Sequence, residues 1–512
     1  MKNEEDHDED QQVALELLER TADKIKDEPQ PSLEIPPLLF SKRLFVTIML
    51  FLCYVNFQVL RNNMNIAIVE MISNKTIIQG NENTTQLAEF NWDSTTAGVV
   101  TSIINYGGQL AFANGFLINK MGASTSSGVC MLLAGITTFL HPVSLQLGFY
   151  VFLAIRFFTG ILEAVFYSST PSIASMWFPL QERSTLIAHS MNGINVGVAL
   201  VYPFCGYLAH TWGWRMVFYV TGLKSVLVSI CFLILVKNHP SQDSNISKAE
   251  VAYILRETEV TSLTPEKHNN TSTMKEKLFQ ILSVFKLLLT SGPIWALFTL
   301  IFTYMWIASV ISACLPSYFK DVTGKNSDEI GYISFIPNAV YIFMFPITGA
   351  LMDYWKNHSN VTTATIHKTL LSIAYISSVV FFIAITYVTD LTTILAFFVS
   401  IQIFTPCAPL IISIMTVSLA PNHVSHVSSF CTNFFSLGAV LVQTVSGIMT
   451  PNHTFQEWNN SFILAAGIAI FGNLMVLMFG SSDAQKWSLS PPLKEANSLT
   501  DKSLRTNGAI GC

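Results

Sequence analysis

Long apolar segments separated by short polar ones dominate the chain between residues 44 and 480. A helix needs about 20 mostly apolar residues to cross a hydrocarbon core about 30 Å thick. Six such segments cover residues 44–70, 95–118, 124–142, 147–171, 185–209 and 215–236. Six more cover residues 289–316, 328–352, 367–388, 392–416, 426–449 and 459–480. The pattern predicts an all-α membrane protein with twelve transmembrane helices in two six-helix halves.

The polar stretches between and around these segments predict the domain boundaries. We expect a disordered acidic tail at 1–41, a six-helix bundle at 42–236, a linker at 237–288, a second bundle at 289–481 and a tail at 482–512. No basic-then-apolar signal pattern precedes the first apolar helix, which we therefore expect to remain as an uncleaved anchor.

The composition supports a membrane protein and narrows the function classes. Of the 512 residues, 51% are hydrophobic and 12% are charged, whereas an ordinary soluble domain has about 25% charged residues. The chain has no basic arm for nucleic acid. It also has no Walker loop, no G-x-S-x-G elbow and no H-E-x-x-H helix, so we predict neither an enzyme nor ATP-driven transport. The cysteines show no metal-ligand spacing, and we predict no cofactor and no metal.

The basic residues between the predicted spans fall mainly on one side of the membrane. Lys42 and Arg43 precede the first span, and the lysines of the linker lie on the same side. By the positive-inside rule, this side is cytoplasmic and includes both termini. Asn74 and Asn83 then lie in the first outer loop, where their N-x-T patterns make them candidate glycan acceptors.

Two charged residues lie inside the fourth predicted span. Glu163 follows Arg156 by seven residues, so the two side chains share a helix face about 10 Å apart along the axis. Charges in mid-bilayer normally face a bundle interior or a watery cavity, which makes this helix a candidate wall of a solute pathway. A buried ion pair that only fixes helix packing is the alternative. Because burial disfavours an ionised carboxyl group, Glu163 is also the candidate proton site.

A third charged residue, Arg61, lies within the first predicted span, and Asn63 extends its polar face. Two arginines and one carboxylate leave an uncompensated positive charge, which suits a carboxylate or another anion as the missing partner. Snorkelling of Arg61 to the outer surface is the alternative. Tyr304 and Trp306 on the seventh span are candidate lining residues of the same path, with ordinary core filling as their alternative.

Two stretches around the fourth span carry a family resemblance. The sequence R-F-F-T-G-I-L-E-A-V-F, followed by M-W-F-P-L-Q-E-R-S, resembles the R-x-x-x-G-x-x-E-G-V and W-x-P-x-x-E-R-S signature of the anion/cation symporter family of the major facilitator superfamily. That family includes sialin, the vesicular glutamate transporters and the sodium-phosphate transporter homologues. The resemblance runs from about Arg61 to Trp487. It implies that Arg61 and Arg156 contribute to organic-anion recognition and that Glu163 takes part in proton coupling.

The resemblance also indicates a gate and a subgroup. The superfamily motif G-x-x-x-D-[RK]-x-G after the second span reads G-F-L-I-N-K-M-G here, with an asparagine in place of the acid. We predict a gate from the residues Gly115, Asn119, Lys120, Gly122, Glu182, Arg183 and Asp353. Tyr304 stands where vesicular glutamate transporters carry an arginine, which makes the chain most similar to sialin.

These observations lead to one expected function and two alternatives. We expect a monomeric secondary transporter of small organic anions, such as acidic sugars or acidic amino acids, that works by proton symport and alternating access. Its partners are then the anion, a proton or sodium ion, and the lipid bilayer of a lysosome, a vesicle or the plasma membrane. The alternatives are a sodium-coupled phosphate or urate transporter and a membrane receptor that kept the fold but lost transport.

Overall fold

The structure is a computed structural model that describes most of the chain. It covers residues 36–72, 75–79, 82–86, 89–259, 286–311, 318–319, 327–450 and 454–489. The described residues from Phe40 onward belong to one compact unit, and the few described residues up to Leu39 belong to another. Most of the predicted tail at 1–41 therefore lies outside the described residues, as do 260–285 of the linker and 490–512 of the second tail.

Helices account for nearly all of the described structure. Those before the linker are α1 (Lys42–Ile72), α2 (Ser94–Gly108), α3 (Asn114–Met121), α4 (Ala123–Phe139), α5 (His141–Leu147), α6 (Phe149–Trp177), α7 (Arg183–Met191), α8 (Gly193–Trp212) and α9 (Trp214–Leu235). The linker contains α10 (Lys248–Glu259). Those after it are α11 (Gly292–Ser309), α12 (Ser327–His358), α13 (Thr363–Ile385), α14 (Leu391–Phe404), α15 (Cys407–Ser418), α16 (Val424–Met449), α17 (Phe455–Phe479) and α18 (Lys486–Leu489).

Each of the twelve predicted spans coincides with one of these helices or with a consecutive pair. Among the described residues, eight helical segments are long and apolar enough to cross a membrane, and the pair α4 and α5, bent by 53°, is a ninth candidate. Three predicted spans lie outside that set. The second is divided by a 3-10 turn at Gln109–Ala113 and the fifth by a break at Asn192. The eleventh is α16, a continuous helix rich in serine and threonine.

The fourth span is longer than the sequence predicts, because α6 continues through Pro171 to Trp177. A proline inside a helix donates no N–H to the carbonyl four residues earlier. That carbonyl, of Tyr167, instead accepts the hydroxyl of Thr170 at 2.9 Å. Because the freed carbonyl keeps a hydrogen bond, the helix passes the proline without ending.

A β-hairpin lies in the predicted first outer loop, where the all-α prediction has no strand. Strand β1 (Lys75–Gln79) pairs antiparallel with β2 (Glu82–Gln86). The hairpin contains several β-branched residues, which favour extended structure. Of the two predicted glycan acceptors, Asn83 lies in β2 and Asn74 lies outside the described residues.

Close helix crossings organise the part of the structure before the linker. Helix α1 packs against α7, α8 and α9, while α2 packs against α6. A Cβ atom added to Gly160 of α6 would lie 2.1 Å from the Ile104 carbonyl oxygen of α2, and one added to Gly193 would lie 2.3 Å from the Phe51 carbonyl oxygen of α1. Small residues at these crossings let the backbones touch.

The linker begins with ordered structure that binds the start of α1. Helix α10 has Ser247 as its N-terminal cap, since the hydroxyl accepts the Glu250 N–H at 3.1 Å. The Glu250 carboxylate in turn accepts the backbone N–H groups of Lys42 at 3.1 Å and Arg43 at 3.0 Å. We call this end of the helix bundle the linker end, and the opposite one the hairpin end.

Candidate functional site

Arg61 of α1 points toward α2 and is half-buried. Its guanidinium donates a hydrogen bond to the side-chain oxygen of Asn105 and lies 5.8 Å from the ring centroid of Phe57. The side chain is thus held between two helices rather than extended along the outside of the bundle. A planar guanidinium held in this way retains donors for a second, anionic partner.

Arg156 of α6 is fully buried between α6 and α2. Its Nε donates to the Val100 carbonyl oxygen at 3.0 Å, and its two Nη atoms have no hydrogen-bond partner in the described part of the chain. The structure therefore separates the two arginines: Arg61 is partly accessible, whereas Arg156 lies inside the helices that precede the linker.

Glu163 is fully buried as well, and neither of its carboxylate oxygens has a hydrogen-bond partner among the described residues. Arg61 and Arg156 are its electrostatic neighbours. No described ion pair joins Glu163 to either arginine, so their nitrogen atoms lie more than 4.0 Å from the carboxylate oxygens. Burying an ionised carboxylate without hydrogen bonds costs several kcal/mol or more. A group in this position is suited to gain and lose a proton or an ionic partner during a functional cycle.

A chamber lies between the helices on the two sides of the linker. Tyr304 contributes to its wall and its hydroxyl lies 3.1 Å from that of Tyr341. Tyr167 of α6 closes one side by packing against Phe435 of α16, with ring centroids 5.2 Å apart. The lining residues are Tyr54, Tyr167, Thr170, Pro171, Met191, Ile301, Tyr304, Pro409, Ile412, Ser413, Thr416, Ser428, Cys431, Thr432 and Phe435. The wall is thus aromatic and hydroxyl-bearing, and it is uncharged.

The structure places two of the predicted substrate contacts away from this path. The Asn63 amide is fully buried and donates to the Thr221 hydroxyl of α9 at 3.2 Å. Trp306 is buried beside Phe302, with ring centroids 5.8 Å apart. Neither side chain lines the chamber, and each packs against a neighbouring helix or ring, so neither is among the proposed substrate contacts. The charged residues Arg61, Arg156 and Glu163 also lie outside the chamber lining. A sequence shows how far along a membrane span a residue lies. It does not show which neighbouring helix the side chain faces when polar residues occur on several faces of the span.

Asp353 forms a latch across the two sets of helices at the linker end. Its carboxylate accepts the backbone N–H of Ser184 at 3.2 Å and that of Thr185 at 2.6 Å. These groups belong to the first turn of α7, where a negative charge complements the helix dipole. Lys356, one turn further along α12, donates to the Leu180 carbonyl oxygen at 2.9 Å. The end of α12 thereby holds the start of α7.

Asn119 forms the corresponding contact on the other side of the interface. Its side-chain oxygen accepts the Ser425 hydroxyl, and its nitrogen lies 3.2 Å from His426 Nε2. Both partners belong to the first turn of α16. The spacing matches the first latch, because Asn119 follows Gly115 by four residues just as Asp353 follows Gly349. The two halves therefore use equivalent positions, one with a carboxylate and one with a neutral amide.

Glycines bring the helices together at both latches. A Cβ atom added to Gly349 would lie 2.4 Å from the Ala188 Cβ of α7, and one added to Gly115 would lie 2.5 Å from His426 Nδ1. Asn192, at the break between α7 and α8, also donates to the Ile342 carbonyl oxygen of α12 at 3.0 Å. The Ile342 carbonyl group lacks the usual helical N–H partner, because the residue four positions later is Pro346.

Glu182 connects the latch to the linker. Its carboxylate forms an ion pair with Arg43 Nε at 3.1 Å, while Glu250 binds the Arg43 backbone. Burial raises the pKa of Glu182; Arg43 opposes this shift, and the negative charges of Asp353 and Glu250 add to it. The linker, the start of α1 and the start of α7 therefore share one charged network.

The remaining predicted gate residues make no described hydrogen bond between the helices before the linker and those after it. Arg183 is buried, and its Nε donates to the Phe178 carbonyl oxygen at 3.1 Å. Lys120 is exposed at the end of α3. Gly122 has φ of 86°, and the neighbouring Asn238 side chain accepts the first N–H groups of α4.

A further charged residue lies deep inside a membrane span but is not among the predicted site residues. Lys224 lies in the middle of α9, inside an apolar segment. The signal that identified Arg61, a basic residue within a membrane-length apolar run, applies equally to this lysine.

Comparisons with known proteins agree with this architecture. The family model of the Major Facilitator Superfamily matches residues 46–377. The chain is 25% identical over 430 residues to vesicular glutamate transporter 3 of Danio rerio, which covers 84% of this chain and 71% of that protein. It is 24% identical over 478 residues to sialin of Homo sapiens, covering 90% and 93%.

Two solved structures resemble the protein in fold. The proton:xylose symporter XylE superposes with a TM-score of 0.60 at 16% sequence identity, over 86% of this chain and 96% of that one. The fucose:proton symporter FucP of E. coli superposes with a TM-score of 0.56 at 13% identity, over 86% and 100%. At these identities the likeness establishes the fold.

Proposed function

The chain belongs to the Major Facilitator Superfamily, and from that premise we propose that it is a proton-coupled transporter of small organic anions. The protein is an integral multi-pass membrane protein and a secondary transporter related to sialin and the vesicular glutamate transporters, not an enzyme. The proposal adds the anion, the proton and the residues that bind them.

The observation that carries the proposal is the arrangement of Arg61, Arg156 and Glu163. Two guanidiniums and one carboxylate lie inside the helices before the linker, and the carboxylate has no hydrogen bond from the described residues. With both guanidiniums charged, this group has a net positive charge even when Glu163 is ionised, and protonation of Glu163 makes it more positive. An anion then becomes the favourable partner, since charge in a low-dielectric interior is costly unless it is paired.

The three residues have different roles in this proposal. Arg61 is the accessible guanidinium and binds the substrate carboxylate, with Asn105 holding its orientation. Glu163 accepts the proton. Arg156 is fully buried and acts on Glu163 through its charge, without touching the substrate. Tyr304 and the hydroxyl groups of the chamber contact the uncharged part of the anion on its way through.

The latches at the linker end fit one state of an alternating-access cycle. Asp353 and Asn119 each join helices from both sides of the linker at that end, so we propose that substrate enters from the hairpin end in this state. The distribution of basic residues supports a cytoplasmic linker end, with both termini on the same side. Release into the cytoplasm then requires both latches to open.

Uptake into proteoliposomes tests the substrate class. We expect the purified full-length chain to accumulate an acidic sugar or an acidic amino acid under a pH gradient, with no loss when sodium is replaced by choline. Arg61→Gln removes a charge-assisted hydrogen bond worth about 2 kcal/mol, which corresponds to about a 30-fold rise in KM. Arg215→Gln is the matched control, because Arg215 is exposed and pairs with Glu89. Uptake that requires sodium would contradict the proposal, as would an Arg61→Gln variant with the same KM as the Arg215→Gln control.

A further inference from the structure

Lys224 places a positive charge at the centre of a membrane span. Helix α9 runs from Trp214 to Leu235, with ten residues before Lys224 and eleven after it. At 1.5 Å per residue, the Cα atom lies about 15 Å from either end of the helix. That depth is the middle of a hydrocarbon core about 30 Å thick.

This lysine has no hydrogen bond and no ion pair among the residues that the structure describes. The thiol of Cys205 in α8 is an electrostatic neighbour of Lys224, but a thiol is only a weak acceptor. Lys224 differs in this respect from Arg61 and Arg156, which both donate to oxygen atoms of α2. The charge of Lys224 has no counterpart within the described protein.

The surface next to Lys224 belongs to the outside of the bundle. Helix α9 packs on its inner side against α1, α4 and α8. Its opposite side carries an apolar stripe at helical spacing, made of the exposed side chains Leu223, Leu227, Ile230 and Ile234. Lys224 is half-buried at the edge of this stripe.

Two possible partners for this charge fail on distance or on burial. A lysine side chain that snorkels reaches about 6 Å, which is well short of a headgroup about 15 Å away. A second copy of the chain has no suitable acid either. Among the acids of the described spans, Glu163 is fully buried and the others lie near helix ends, namely Glu70, Asp328, Glu329, Asp353 and Glu457.

We propose that the face of α9 around Lys224 binds a transmembrane helix of a different membrane protein, one that carries an aspartate or glutamate at mid-bilayer depth. Charge complementarity selects the partner, because a carboxylate and an ammonium group in hydrocarbon each lack any other ionic partner. The leucine and isoleucine stripe supplies the packing surface beside the ion pair.

A designed helix tests this surface directly. The full-length chain is reconstituted in phosphatidylcholine liposomes at pH 7.5 with a fluorescent leucine-rich transmembrane peptide that has one central aspartate, and association is measured by energy transfer. We expect this peptide to bind the wild-type chain at least tenfold more tightly than peptides with central leucine or asparagine. Moving the aspartate by two helical turns removes the preference.

Variants of the lysine complete the experiment. Lys224→Leu, which removes a charge from the bilayer and so keeps the fold, loses the tenfold preference, whereas Lys224→Arg retains it. Equal binding of the aspartate and leucine peptides, an asparagine peptide that binds as tightly, or a preference that survives in Lys224→Leu would each overturn the proposal.

Discussion

The Asp353 carboxylate of α12 accepts the backbone N–H of Thr185 at 2.6 Å, although the two residues belong to helices on opposite sides of the linker. A helix is normally capped by a side chain from just before its own first turn. Here the cap of α7 comes from another helix, 168 residues away. Opening the linker end therefore requires uncapping α7, which ties the local stability of one helix to the global state of the transporter.

Asp353→Asn is expected to weaken this latch. The variant retains one acceptor but loses the negative charge that complements the helix dipole, a loss of about 1 kcal/mol. The population of states with an open linker end rises about fivefold, and spin labels at Lys120 and Asn360 report it as a longer distance component. Asp390→Asn is the control, because Asp390 caps its own helix α14 through Thr393. Equal effects of the two variants would argue against a latch.

Gly349→Val is expected to prevent closure of the linker end. The added side chain begins 2.4 Å from the Ala188 Cβ atom and 2.8 Å from the Ser184 carbonyl oxygen, and backbone atoms cannot move aside cheaply. The distance between the spin labels at Lys120 and Asn360 should therefore shift to the longer values of open states. Transport should fall, because the cycle loses one of its end states. Gly467→Val serves as the control, since a Cβ atom there meets nothing within 4 Å. A Gly349→Val protein with wild-type distances would disprove the close approach.

The charge network at Glu182 predicts a pH dependence of the closed state. Burial raises the pKa of this carboxyl group above its ordinary value in the closed protein. A raised pKa means that the closed state binds the proton more tightly than an open state in which Glu182 is exposed. Protonated Glu182 therefore stabilises the closed state fully at a pH below the ordinary pKa of a glutamate. This stabilisation disappears as the pH rises through the raised pKa of the closed state.

A pH titration of the distance distribution checks this sign. We expect the fraction of molecules with a closed linker end to fall as the pH rises through the raised pKa of Glu182. In Glu182→Gln, this pH-dependent fall should be absent. A closed fraction that increases with pH in the wild type, or an unchanged titration in the variant, would be incompatible with the network as described.

Glu250→Ala is expected to destabilise the start of α1. The carboxylate accepts two backbone N–H groups of that helix, and loss of a helix cap costs about 1 kcal/mol. Thermal unfolding in detergent gives the measurement, with a lower midpoint expected for the variant. Lys248→Ala is a suitable control in the same helix, because the Lys248 side chain is exposed. If both variants unfold at the wild-type temperature, the linker helix contributes nothing to α1.

Most of the architecture follows from apolar segment lengths, because a span of about 20 residues must satisfy its backbone as a helix. The internal breaks are harder to predict. Nothing near Asn192 in the sequence shows that its amide will bind a carbonyl 150 residues away. The hairpin in the first outer loop was missed for a different reason, since two five-residue strands give little periodic signal.

The candidate site was predicted in part. The charges Arg61, Arg156 and Glu163 stand out because they interrupt apolar runs, and the structure keeps all three inside the protein. Their distinct surroundings depend on the neighbouring helix: Asn105 meets Arg61, and the Val100 carbonyl meets Arg156. Such partners come from helix packing, which a single sequence does not specify.

Coupling through Glu163 is tested most directly by comparing two assays on Glu163→Gln in the same proteoliposomes. Glutamine has nearly the same shape but carries no titratable proton, so we expect substrate exchange at equal pH to continue while accumulation driven by a pH gradient is lost. The wild-type chain performs both. Accumulation by Glu163→Gln that responds to the pH gradient as strongly as wild type would show that the proton is carried elsewhere.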